Sequence, residues 1–95
     1  MGVKGMKVTK IIVEGEANLA SKVGAKIAIV VGFCSSKTTY NYLGMYSWNE
    51  GSAPSFTKIS GTSSNPASNE QGTIQFSPGS EGYSINRWWI ISLNE

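Results

Sequence analysis

The sequence contains no histidine and no aspartate. That removes the usual neutral-pH general base, the Ser-His-Asp triad and the common metal-ligand sets. The carboxylates that remain are all glutamates, and none stands in a catalytic context. Glu16, Glu50, Glu70 and Glu81 fall in turn or loop stretches, Glu14 closes a strand and Glu95 is terminal. A glycosidase needs two carboxylates held across a cleft, whereas Glu14 and Glu16, a close pair, belong to a solvated strand end. Cys34 is the single cysteine, so no intrachain disulfide forms, and as a nucleophile it would have no histidine partner. It reads as a small buried apolar residue. Gly2-Val3-Lys4-Gly5 and Gly79-Ser80-Glu81-Gly82 lack the strand–loop–helix setting of a phosphate loop. No enzyme activity, no cofactor and no metal are expected.

Charge is also scarce. Charged residues make up 15% of the chain, against about 25% in an ordinary soluble domain. The net charge is +2, too small to argue for nucleic acid. The charge is uneven: residues 1–40 carry six lysines against two glutamates, and residues 41–95 carry Lys58 and Arg87 against four glutamates. Lysines at strand ends and edges, where they discourage edge-to-edge pairing, explain this more simply than an anionic partner. No run approaches the roughly 20 apolar residues of a membrane helix, and the N-terminus has no apolar signal-peptide core. Met6 stands where an N-myristoylation pattern requires Ser or Thr. No membrane insertion is expected.

What is present is Ser, Thr, Asn and Gly between short β-branched and aromatic runs. Hydrophobic residues reach 40%, with three Trp and four Tyr, which separates the chain from a disordered one. A chain of 95 residues is one domain, and it buries only about 60–65% of its unfolded surface. Apolar surface shared between copies would help to stabilise it.

The pattern yields about six strands with Gly/Pro/Ser turns, an all-β fold of small antiparallel β-sandwich or barrel type. Residues 1–5 read as a lead-in or linker, and residues 6–95 as a single β-sandwich domain. Lys7–Val13 is the first strand. Ala17–Gly24 is a turn or two of helix, or a loop. Ala25–Phe33 is apolar on both faces after Lys26, which predicts a central strand covered on both sides. Ser35–Thr38 is a hairpin turn. In Thr39–Trp48, Tyr40, Tyr42, Gly44, Tyr46 and Trp48 share one face, and Leu43 and Met45 share the other. Phe56–Ser60 suits an edge strand. The polar stretch Gly61–Gly72 is long for a small domain, which marks it as functional or mobile. Thr73–Ser77 and Tyr83–Leu93 complete the set, with Pro78–Gly82 as a turn. Arg87 interrupts an apolar face, so it either ends the buried part or marks a bulge.

The candidate binding residues are aromatic. If Leu43 and Met45 face the core, then Tyr40, Tyr42, Tyr46 and Trp48 line an outer face beside Asn49. Flat rings next to amide and hydroxyl donors suit the C–H faces of sugars. The alternative buries the stripe, since each ring can remove about 150–250 Å² from water; a subunit interface is a third use. Trp88 and Trp89 point to opposite faces. Trp89 shares its face with Ile91 and Leu93 and is the better core candidate, which leaves Trp88 as the surface or interface candidate. Lysines among aromatics could suit single-stranded nucleic acid, but only Lys37 lies near the aromatic strand.

The succession of "AKIAIVVGFCSS", "YNYLGMYSW", a Ser/Asn/Gly region and "NRWWIISL" resembles the small all-β receptor-binding modules at the ends of bacteriophage tail fibres. The resemblance implies a non-enzymatic, homotrimeric knob on a virion surface or outside the cell, recognising a cell-surface glycan or protein; a cytoplasmic setting is not excluded. A purely architectural oligomerisation domain, with its aromatics in the core or a subunit interface, is the alternative.

Overall fold

The computed structural model describes residues 6–13, 19–22, 26–76 and 84–93. Its strands are β1 (Met6–Ile12), β2 (Leu19–Lys22), β3 (Ile27–Cys34), β4 (Lys37–Ser47), β5 (Ser55–Gly61), β6 (Ala67–Ser68), β7 (Thr73–Phe76) and β8 (Arg87–Leu93). No helix occurs among the described residues, and every strand pair is antiparallel. The fold is all-β. A five-stranded sheet has the order β1-β8-β3-β4-β5, and a three-stranded sheet the order β2-β7-β6.

The large sheet buries one face. Along β3 the buried residues are Ala28, Val30, Gly32 and Cys34; along β4 they are Tyr42, Gly44 and Tyr46; along β8 they are Trp88, Ile90 and Ser92. β7 of the small sheet closes this core with Ile74 and Phe76, both essentially inaccessible. The Trp88 ring packs 4.9 Å from Phe76 and 5.6 Å from Tyr42, centroid to centroid. Tyr46 meets Phe56 edge-on at 5.5 Å. Such tilted contacts match the quadrupoles of aromatic rings.

Cross-strand register shows why the rings point inward. Ala28 sits opposite Tyr46, and Gly32 lies between Tyr42 and Trp88. The inner side of β3 is small where its neighbours are large, so the layer fills without overlap. The outer side of β3 carries Ile27, Ile29, Val31 and Phe33, which would leave no room for those rings.

Several expectations are corrected by this arrangement. β3 is central, but only its inner face is covered: Ile27 is 39% and Ile29 41% exposed. Trp88 is the core tryptophan, and Trp89 lies on the outer face beside Val31. Arg87 shares that outer face and pairs in phase with Ile12 and Phe33, so there is no bulge at this point. Leu19–Lys22, expected as helix or loop, is a strand paired with β7. The long polar stretch contains the short strand β6. The lead-in at residues 1–5, the Glu14–Glu16 strand end and the Pro78–Gly82 turn lie outside the described residues.

The two core tyrosines differ in one respect that a measurement reads directly. The Tyr42 hydroxyl donates to Asn65 Oδ1 at 2.7 Å, whereas the buried Tyr46 hydroxyl has no partner among the described residues. Burial pushes both phenols above their ordinary value. Tyr46→Phe should therefore be neutral or stabilise the fold by about 1 kcal/mol, and Tyr42→Phe should cost about 1 kcal/mol by removing the bond to Asn65. Urea midpoints of the two variants check this, and the opposite order would contradict the hydrogen-bond assignment.

Candidate functional site

Two surfaces stand out, and the aromatic row is neither of them. Tyr42 and Tyr46 are 1% and 0% exposed and Trp88 is 3% exposed, so their rings cannot stack on a ligand from solvent. Trp48 is half-buried against the core, and its indole N–H donates to the Ser52 carbonyl at 2.9 Å. Asn49 is exposed in the adjoining turn. Tyr40 is half-buried at the other end of β4, about 25 Å of strand away from Trp48. The six candidates therefore do not form one site: three are core, and the others are split between two ends of the strand.

Tyr40 reaches the first surface through an irregularity. Cys34 pairs with Lys37 and Phe33 with Asn41, so Thr38–Tyr40 have no partners on β3. Such bulges often re-aim a side chain at the rim of a sheet. Tyr40 opens onto a cleft of about 240 Å³, open on one side, with Phe76, Ile85 and Trp88. The opposite wall comes from the chain after β5. Thr62 N–H and Ser63 N–H both donate to the Asn41 carbonyl, at 2.8 and 3.1 Å, and the Thr62 hydroxyl accepts from Asn41 N–H at 2.9 Å. These bonds fold residues 63–67 back over the start of β4, and the Tyr42–Asn65 bond pins them there. Ser63, Ser64, Asn65, Gln75 and Ser84 add hydroxyl and amide groups to the lining. No described lining residue carries a charge.

Beside the cleft, Asn86 ties β8 to the β3–β4 turn. Its Oδ1 accepts from Ser35 N–H at 2.9 Å, its Nδ2 donates to Ser35 Oγ at 3.0 Å, and its carbonyl accepts from Val13 N–H at 2.9 Å. Ile85, next to it, is only 2% exposed. Sequence reasoning marked the polar stretch that supplies Ser63–Asn65 but passed over Gln75, Ser84 and Ile85. These carry no signal in the chain itself, because only the sheet-to-sheet packing brings them together.

The second surface is the outer face of the large sheet. Val8, Ile91, Ile29 and Met45 lie side by side across β1, β8, β3 and β4. Met6, Leu93 and Ile27 form the next row, and Trp89, Val31 and Leu43 the row on the other side. Met6, Val8, Ile12, Met45 and Leu93 are each 40–53% exposed. The charges on this face are Lys10, whose ammonium sits 5.1 Å from the Trp89 ring centre, and Arg87.

Cys34 is buried near the β3–β4 turn, and its Sγ lies 3.3 Å from the Ser36 hydroxyl. That hydrogen bond draws the thiol down from 9.0 to about 7, with burial acting against it. Among the described residues no three His, Cys, Asp or Glu side chains come together as a metal site. Compared with known proteins, the chain matches no protein-family model, no curated protein and no solved structure.

Proposed function

We propose that this chain is a non-enzymatic recognition module whose cleft takes a neutral, hydroxyl-rich ring, such as one unit of a cell-surface glycan. The lining carries this reading. The half-buried Tyr40 ring sits beside amides and hydroxyls, over a floor of the buried Phe76, Ile85 and Trp88, and no described lining residue is ionised. The Tyr40 ring face favours the C–H side of a sugar, and the neutral polar groups exchange hydrogen bonds with its hydroxyls. A charged ligand would meet no countercharge among the described lining residues and would lose its hydration. The cleft of about 240 Å³ holds a volume near that of eight waters at ~30 Å³ each, which fits a single ring. The resemblance to tail-fibre modules points the same way and would place the domain on a virion surface or outside the cell.

Gln75 is exposed in the lining, so Gln75→Ala tests the cleft without disturbing the core. A panel of neutral monosaccharides at millimolar concentration should shift NMR signals of Tyr40, Gln75 and Ser84 in the unsubstituted chain. The best ligand should bind Gln75→Ala about tenfold more weakly, the usual scale for one lost hydrogen bond. Shifts scattered away from the cleft, or the same affinity in both proteins, would reject the assignment. A purely architectural role is the second reading, and the burial of Tyr42, Tyr46 and Trp88 favours it by taking the aromatic row away from any ligand.

A further inference from the structure

The outer face of the large sheet is built like the inside of a protein. Its central row, Val8–Ile91–Ile29–Met45, is apolar across four strands, and the rows beside it continue the same character. From the fractional exposures, the apolar side chains present on the order of 700 Å² of accessible surface, against about 800 Å² per partner in a stable interface of standard size. The largest apolar patch on a typical monomer is about 300–600 Å². The small sheet already covers the inner face.

We propose that a second copy of this chain covers the outer face, sheet against sheet, about a two-fold axis. A flat patch of alternating Ile, Val, Met and Leu mates with its own copy, and a two-fold contact closes without leaving a free patch for a third. Lys10 and Arg87 occupy one end of the patch, where in a face-to-face pair they reach the rim and stay hydrated. The central row Val8–Ile91–Ile29–Met45 carries no charged residue, as in the core of a homodimer interface. The cleft is lined by inner-face side chains and by residues 63–67, so the dimer leaves it open, and this inference stands whether or not the cleft binds a sugar.

Sedimentation of the full chain at about 10 μM should give the mass of two chains. Ile29→Lys puts a charge at the middle of the face, at a position already 41% exposed, so the monomer should keep its β-sheet circular dichroism. Its dissociation constant should rise at least about 100-fold, because two unpaired lysines meet in one dry contact. Ile59→Lys, at a side chain 63% exposed in the β4–β5 irregularity, should leave the mass unchanged. Should Ile29→Lys fail to fold, the melting temperature of the unsubstituted chain decides: it rises with chain concentration for a dimer and stays fixed for a monomer. A monomeric or trimeric mass, a dimer that survives Ile29→Lys, or a monomer that instead adsorbs to phosphatidylcholine vesicles would overturn the proposal.

Discussion

Trp88→Ala should cost about 3–5 kcal/mol, the range for truncating a buried tryptophan. Trp89→Ala, one residue along, should cost roughly 1 kcal/mol. Trp88 is 3% exposed, wedged between Phe76 and Tyr42, with Gly32 opposite it across β3. Removing its ring leaves a void bounded by both sheets, and the rigid strands on either side cannot collapse into it. Trp89 lies on the outer face, where it loses contact with Val31 and with the ammonium of Lys10, and a surface contact of that kind contributes about 0.5–1 kcal/mol. A domain of this size holds only about 5–10 kcal/mol in total. Trp88→Ala should therefore lose about half of that stability and melt far below the unsubstituted chain, while Trp89→Ala should melt only a few degrees early. Urea denaturation of both variants in the Ile29→Lys background, which keeps the outer face open to solvent, separates them. Equal costs would mean that β8 faces the other way.

That contrast marks where the sequence is legible and where it is not. The all-β class follows from β-branched runs and turn residues, and most strand positions are readable from local pattern. The small inner residues of β3, Ala28 and Gly32, are equally visible. What the pattern does not contain is the parity of the β3–β4 hairpin. A regular hairpin closed at Ser35-Ser36 would set Val30 opposite Asn41 and Ala28 opposite Leu43, and so place the aromatic residues on the outer face. The three unpaired residues Thr38–Tyr40 change this: Val30 now faces Gly44 and Ala28 faces Tyr46. An odd number of inserted residues moves every side chain of a strand to the other face, and no local propensity signals it.

The exposed side of β3 escaped the reading for a related reason. A strand that is apolar on both faces reads as covered on both, yet here the cover on one side is not supplied by the described part of the chain. Composition gave the only hint, because a small domain with little charge has apolar surface left over. The cleft was legible only in part. The polar stretch after β5 is conspicuous, but its wall depends on bonds to Asn41 and Tyr42, twenty or more residues away in the sequence.

Gly44 is the position at which a single methyl group should do the most damage. It lies between Tyr42 and Tyr46 on the inner face of β4, and the Tyr42 ring folds over it. A Cβ on Gly44 would stand 2.6 Å from Tyr42 Cζ and closer still to the hydroxyl. Such overlap forces the ring to swing away, which costs about 1–3 kcal/mol as overpacking. The movement has further consequences. It breaks the Tyr42–Asn65 bond, worth about 1 kcal/mol, and it pulls Tyr42 off the Trp88 ring. Gly44→Ala should therefore lose about 2–4 kcal/mol, a large effect for an added methyl at a position without left-handed backbone. Gly44→Ala combined with Tyr42→Ala identifies the cause. If the clash with the ring is responsible, the added methyl should cost at least 1 kcal/mol less in the Tyr42→Ala background than in the unsubstituted chain, a non-additivity expected only of groups in contact. Additive costs would instead place the strain in the β4 backbone, at the register shift between Leu43 and Gly44 opposite β5.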